Sequence, residues 1–252
     1  MHLSIDMVAL LFMVAVVAGC VDSIAGGGGL ITLPSMLLVG IPPAAALATN
    51  KLQGCGGTLA ASFYFLRQQV VRLRDLKLMI VMTFVGAVLG VWLILQINST
   101  ALKAIIPFLL ISVGIYFALS PQLGTTDQKQ PVAHGPFSLW IAPCLGFYDG
   151  FFGPGAGILM ALSLVSLRGY NLTKATAHTK ILNGTSNVSS LLYFLAFGKV
   201  YWTVGLVMLV GQIIGSSIGA RLVLAKGATL IRPVISGVCF LMAVKLLFDI
   251  FG

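Results

Sequence analysis

Charge is what this sequence has least of. Only 8% of its 252 residues are charged, against about 25% in soluble domains, so too few polar side chains exist to coat a water-facing surface. Histidine and cysteine are also scarce. His2, His134 and His178 are dispersed, and Cys20, Cys55, Cys144 and Cys239 form no CxxC pair. A structural metal site or disulfide framework is therefore not expected, and the cysteines read as small apolar packing residues. No HExxH or GxSxG occurs, and the chain is expected to be no enzyme and to need no cofactor. Gly26–Gly29 lacks the GxGxxG spacing and follows no strand, which removes a dinucleotide site. The segment Val17-Ala18-Gly19-Cys20 imitates a lipoprotein signal. The first six residues hold no Lys or Arg, however, where a signal wants a positive start. Residues 1–21 therefore read as retained structure. The formal net charge of +9 comes from basic residues scattered singly between apolar segments, without the basic face that nucleic acid requires.

What the chain does have is apolar length. Hydrophobic residues make up 58% of it. The runs Leu78–Leu95 and Val200–Leu224 are long enough for a bilayer, which takes about 20 residues of helix. A β-barrel would show short alternating segments instead. The expected class is an all-α polytopic membrane protein whose first partner is the lipid bilayer.

The chain also repeats itself. Asp22 and Gly26 match Asp149 and Gly153. Ala48-Thr49-Asn50-Lys51-Leu52 matches Ala177-His178-Thr179-Lys180-Ile181. Tyr64-Phe65 matches Tyr193-Phe194, and Gly86 and Gly90 match Gly215 and Gly219, all in one order. This predicts two homologous helical repeats, 1–121 and 137–252, joined by a polar linker loop at 122–136. Each repeat reads as two short segments around a glycine-rich break (7–21 and 29–39; 137–148 and 156–167). Three longer helices follow: 43–66, 76–96 and 103–120, then 172–197, 201–224 and 231–250. A 15-residue helix spans only about 22 Å, so the short segments read as half-helices meeting near the midplane, or else as one helix kinked at the glycines. Arg67, Arg72, Arg74 and Lys77 crowd the loop 67–77, whereas its counterpart in the second repeat holds only Lys199. If Lys and Arg mark the cytoplasm, the repeats are inverted, as in many secondary transporters; a parallel arrangement is the alternative.

Non-helical backbone at membrane depth survives only where protein buries it or where it lines a cavity. A helix starting at a glycine break offers free N–H groups and a positive dipole end, which suit an anion. The candidate substrate-binding backbone is Gly26, Gly27, Gly28 and Gly29, with Gly153, Gly155 and Gly157. Lys51 and Lys180 lie about 12 Å into their helices, where a lysine costs about 2.5–3.5 kcal/mol. Either they contact an anion, or they snorkel or pair with aspartates. Asn50, Gln53, Thr179 and Asn183 would orient the solute. Asp22 and Asp149 would neutralise a lysine, cap a half-helix or carry a coupling proton. Gly86xxxGly90 and Gly215xxxGly219 read as close-packing surfaces, and Arg221 and Lys245 as anchors near helix ends.

The stretches VDSIAGGGGLITLP (21–34), ALATNKLQG (46–54), GFYDGFFGPGAGILM (146–160) and HTKILNGTSN (178–187) resemble the TauE/SafE family of sulfite and organosulfur-anion exporters, also called the toluene-sulfonate uptake permease family. The resemblance covers nearly the whole chain. It implies a multi-pass protein of the bacterial inner membrane and transport of sulfite, a sulfonate or another sulfur-containing anion. It also implies a duplicated architecture usually drawn with about eight crossings, against the ten segments read above. The expectation is a secondary transporter working by alternating access, with H+ as a candidate coupling ion. An anion channel or a cation-coupled transporter of another small organic acid is the alternative. Substrate, direction and homo-oligomeric state stay open.

Overall fold

A computed structural model describes residues 4–97, 127, 129–231, 233–234 and 237. All regular structure among them is helical. The first part of the chain forms α1 (Ile5–Ala25), α2 (Gly28–Leu38), α3 (Pro43–Arg67) and α4 (Leu73–Gln96). In the second part, a π-helical turn (Phe137–Ile141) leads into α5 (Ala142–Phe151), followed by α6 (Ala156–Arg168), α7 (Leu172–Phe197) and α8 (Trp202–Lys226). The expected helix 103–120, nearly all of 231–250, residues 122–126 and 128 of the linker, Cys239 and Lys245 lie outside the described residues.

Both opening segments are longer than their sequence suggested. α1 has 21 residues, about 32 Å at 1.5 Å per residue, and α5 is continuous through the π-turn back to His134. Asp22 does not end α1 because its charge is paired, and the helix runs on to Gly26. There φ of +84° closes the helix with an N–H bond to Asp22 O, a conformation that glycine adopts without penalty.

The short helices do not meet their predecessors end to end; they double back. Gly28 N–H donates to Asp22 Oδ1, and α2 places Leu33 and Met36 in one apolar cluster with Leu11 and Ala15 of α1. Likewise α6 returns along α5. Val132 N–H donates to Leu167 O, Arg168 Nη1 donates to Val132 O, and Met160 and Leu164 join Phe137 and Ala142. Each part of the chain therefore opens with a helical hairpin whose tip is the glycine break.

Glycines set how the helices pack and reveal their directions. Gly211, Gly215 and Gly219 of α8 meet Phe12, Val16 and Cys20 of α1 in that order, so these helices are parallel. Gly86 and Gly90 of α4 meet Pro143 and Phe147 of α5, again in parallel. α3 runs parallel to α8, because Leu52 lies against Gly205 and Gly57 against Ser216. It runs antiparallel to α7, because Gly54 meets Asn187 and Ser62 meets Gly184. Helices α1, α3 and α8 thus point one way and α4, α5 and α7 the other. Elements matched by the sequence repeat (α1 with α5, α3 with α7, α4 with α8) run in opposite directions.

Two apolar clusters lie toward opposite ends of the bundle. One gathers Phe65, Leu76, Phe137, Leu164, Leu172 and Val223. The other gathers Leu11, Met36, Ala46, Ile94, Phe194 and Met208. The end at the first cluster also carries Arg67, Arg72, Arg74, Lys77, Arg168, Lys174 and Lys226, whereas Lys199 lies at the opposite end.

α1, α4 and α8 are long and apolar enough to cross a membrane. Their exposed faces are greasy, with Leu10, Met13 and Val17 on α1, Val81, Phe84, Leu89 and Trp92 on α4, and Leu206, Val210 and Ile213 on α8. Such stripes face lipid at no hydrophobic penalty, whereas a water-exposed surface rarely carries so much apolar area. α3 and α7 are equally long but too polar to meet that test, and they pack on each other at the centre. Their polar residues Asn50, Lys51, Gln53, Thr179, Lys180 and Asn183 are buried inside the bundle. The protein is a multi-pass membrane protein.

Candidate functional site

The site begins with the two hairpin tips, whose backbones touch. A side chain added at Gly157 would lie 2.6 Å from Gly26 Cα, and one at Gly29 would lie 3.3 Å from Pro154 Cα. No Cβ can be placed between Gly26 and Gly157, which is why both breaks are glycine-rich. Gly155, with φ of +80°, turns the chain into α6. The first turns of α2 and α6 therefore face one another at the middle of the bundle, with Gly28 N–H bonded to Asp22 Oδ1, Leu30 N–H to Gly27 O, and Ala156 N–H to Gly153 O.

The four central charges are paired crosswise. Lys51 on α3 donates to Asp149 Oδ1 (2.5 Å) and to Asp149 O on α5. Lys180 on α7 donates to Asp22 Oδ2 (2.8 Å) and to Asp22 O on α1. Each lysine reaches the hairpin of the other part of the chain. Both are sealed from solvent, Lys51 at 2% exposure and Lys180 at 0%. A buried pair has to offset the desolvation of both ions, and it does so only with close geometry and extra bonds. Here the second bond goes to a carbonyl in the last turn of a hairpin's first helix, and Asp22 O accepts the Gly26 N–H as well. The pairs fasten each hairpin tip to a crossing helix while leaving the centre electrically neutral.

Between the tips lies a small polar cavity of about 30 Å³. One water needs about 10–15 Å³ on this measure, so the space suits a guest of a few heavy atoms. Of the residues singled out in the sequence, Asp22, Gly26, Gly28, Gly29, Asn50, Gln53, Asp149, Gly153 and Asn183 line it. Gly27, Gly155, Gly157 and Thr179 stand behind the wall, as do the two lysines, whose ammonium groups are held by the aspartates. Lys51 Nζ is nevertheless close. It lies 3.2 Å from where a Gly153 side chain would begin, separated from the cavity only by a residue without one.

Sequence reasoning missed Gly54, Thr58, Asn187 and Gln212, which complete the wall. Thr58 and Asn187 stand four residues beyond Gly54 and Asn183, one turn further along the same helix faces. That spacing was the available signal. Gln212 was legible only as the lone amide in the apolar stretch of α8. The amides are cross-braced. Asn50 Oδ1 accepts from Thr32 Oγ1 and Gln53 Nε2, both at 2.7 Å, and Asn183 Oδ1 accepts from Asn187 Nδ2 at 3.0 Å. Gln53 Oε1 and Asp149 Oδ2 are buried without a partner. Among the described residues no cluster of His, Cys, Asp and Glu is arranged to hold a metal.

Comparison with known proteins gives the same fold-level reading a family. Residues 11–246 match the model of the sulfite exporter TauE/SafE family. The chain belongs to the TauE/SafE family. It is 49% identical to a probable membrane transporter protein of Haemophilus influenzae over 99% of this chain and 98% of that one. It is 52% identical to the probable membrane transporter protein YfcA of Escherichia coli K12, over 98% and 91%. A more distant relative, the probable membrane transporter protein YunE of Bacillus subtilis, is 21% identical over 84% and 87%. No solved structure matches the chain. The protein is a membrane transporter of the TauE/SafE family, and the crossed pairs and touching glycine breaks describe its centre.

Proposed function

We propose that the protein is a secondary transporter that moves a small sulfur-containing anion, sulfite or a sulfonate, across the bacterial inner membrane with a proton as the coupled ion. The two parts of the chain act as inverted repeats, and rocking of one against the other exposes the cavity alternately to each side. One observation carries this reading. A polar cavity for a compact guest sits where two helix starts face each other, with one apolar cluster toward each end of the bundle. Helix starts and side-chain amides offer the donors an oxyanion needs. The concentration of Lys and Arg at one end supports a cytoplasmic position for that end under the positive-inside rule, with the N-terminus outside.

A second reading, a cation-coupled carrier of another small organic acid, has its own support: the cavity wall carries the carboxylates of Asp22 and Asp149 and not the lysine ammoniums. Thermal-shift measurements on purified protein separate the two, because a ligand bound only by the folded state stabilises it by about 2.7 kcal/mol at a hundred times its Kd. Sulfite, thiosulfate and sulfonates are expected to raise the melting temperature without sodium, and carboxylates are not. Stabilisation by carboxylates that requires sodium would replace the first reading with the second. Proteoliposomes with an imposed proton gradient then report flux; no gradient-dependent anion movement would refute proton coupling.

A further inference from the structure

We propose that Asp149 is the proton-binding residue of the central site and that Asp22 is its non-titrating counterpart. Proton uptake at Asp149 Oδ2 then releases the Lys51 ammonium to the transported anion. The inference rests on the transport reading above and deepens it.

The two carboxylates stand at matched positions but are not equally satisfied. Asp22 has both oxygens engaged, Oδ1 by Gly28 N–H at 3.2 Å and Oδ2 by Lys180 at 2.8 Å. Asp149 uses Oδ1 for Lys51 and leaves Oδ2 buried with no partner, on a residue that is 1% exposed and lines the cavity. A buried carboxylate oxygen without a donor is costly to maintain. Protonation at Oδ2 removes the charge from this unpartnered oxygen and makes it an O–H donor on a residue that lines the cavity.

The other groups around Asp149 leave it this role. From α3 it faces Lys51, with Cys55 one turn further. On its own helix, Tyr148 is already committed, its hydroxyl donating to Pro154 O at 2.8 Å. Across the cavity stand Asp22 and Lys180, bonded to each other. The ionisable groups at the start of α4 (Arg74, Asp75 and Lys77, with Arg72 at its N-cap), Arg168 of α6 and His178 of α7 sit toward the apolar end that holds Phe65 and Leu76.

The charge balance supplies the coupling. With Asp149 ionised, two lysines and two aspartates sum to zero and an entering anion meets no net positive charge. With the proton on Oδ2, Lys51 is left uncompensated behind Gly153, and one monovalent anion restores neutrality. One proton therefore travels with one negative charge. Anion affinity should rise by up to about tenfold per unit fall in pH, the limit for one linked proton.

Infrared difference spectroscopy on the full-length protein in lipid nanodiscs, titrated from alkaline to acidic pH with no solute, tests this directly. A protonated-carboxyl stretching band is expected to grow in, to vanish in Asp149→Asn and to persist in Asp22→Asn. A band that persists in Asp149→Asn, or vanishes in Asp22→Asn instead, overturns the proposal. If Asp149→Asn does not fold, Asp149→Glu serves: it should shift the band where Asp22→Glu does not, and the reverse is refuting. A methanesulfonate binding titration, with a probe ionised throughout, adds a second readout. Affinity should strengthen toward acid in the native protein and be flat in Asp149→Asn; a flat native profile counts against the proposal. An Asp149 band with no anion flux in proteoliposomes would leave the proton site standing and remove the transport reading. Flux without the band would do the opposite.

Discussion

The two glycine breaks do the same job with different chain lengths, and that difference accounts for the asymmetry at the centre. Between α1 and α2 only Gly26 and Gly27 are non-helical, whereas between α5 and α6 the gap runs from Phe152 to Gly155 and includes Pro154. The short break brings Gly28 N–H onto Asp22 six residues back. In the long break a proline, with no N–H to give, sits inside the turn. Its carbonyl accepts the Tyr148 hydroxyl, and Asp149 keeps one oxygen free. A near-symmetric frame thus holds one saturated carboxylate and one unsaturated one. Duplication supplies the geometry, and a two-residue difference in a loop distinguishes the halves.

The strongest way to break the comparison is to orphan a charge. Removing one partner of a buried pair costs about 3–5 kcal/mol, because the other is left without its counter-ion. Lys180→Met and Lys51→Met should therefore both lower the melting temperature of the detergent-purified protein sharply. The crossed connectivity predicts which second change rescues: Asp149→Asn should restore much of the loss in Lys51→Met, and Asp22→Asn should not. Rescue by Asp22→Asn would mean the lysines are paired otherwise.

A gentler change sharpens the difference between the carboxylates themselves. Asp22→Asn weakens two bonds to a charged acceptor, one of them from Gly28, and bonds to charged groups contribute about 1.5–3 kcal/mol each. Asp149→Asn has no counterpart to the Gly28 bond. Asp22→Asn is thus expected to lower the thermal midpoint more than Asp149→Asn. Equal midpoints would show that the Gly28 bond contributes nothing.

Much of this centre was legible in the sequence because a membrane leaves few places for a charge. Two lysines eight residues inside their helices and two aspartates beside glycines had to find partners, and the repeat said that they would do so twice. The helix boundaries of α3 and α7 were readable from apolar pattern and end signals; Asn171, for example, caps α7 through Lys174 N–H. What could not be read was which lysine meets which aspartate, since a repeat fixes equivalence and not contact. The length of α1 was also hidden: Asp22 looks like a terminus until Lys180, far along the chain, neutralises it. The backward fold of α2 and α6 was hidden for the same reason, because it depends on the two breaks touching. Thr58, Asn187 and Gln212 looked like ordinary polar residues until opposing helices brought them to one cavity.

The smallest expected effect probes the contact between the breaks. Gly157 and Gly29 each sit in the first turn of a short helix, and propensity alone would favour alanine at both. Their surroundings separate them. An alanine at 157 would put its methyl 2.6 Å from Gly26 Cα and 2.7 Å from Gly26 O, atoms of a backbone that cannot yield without opening the hairpin tip. Overpacking of this kind costs about 1–3 kcal/mol. An alanine at 29 meets Pro154 Cα at 3.3 Å and Asn50 Nδ2 at 3.5 Å, where a shift of a few tenths of an ångström suffices. Gly157→Ala should therefore lower the melting temperature while Gly29→Ala leaves it nearly unchanged. Gly29 also faces the cavity, so Gly29→Ala should weaken anion-induced stabilisation even where the fold is intact. A Gly157→Ala protein as stable as the parent would mean that the tips do not touch, and the central site would lose the contact that shapes it.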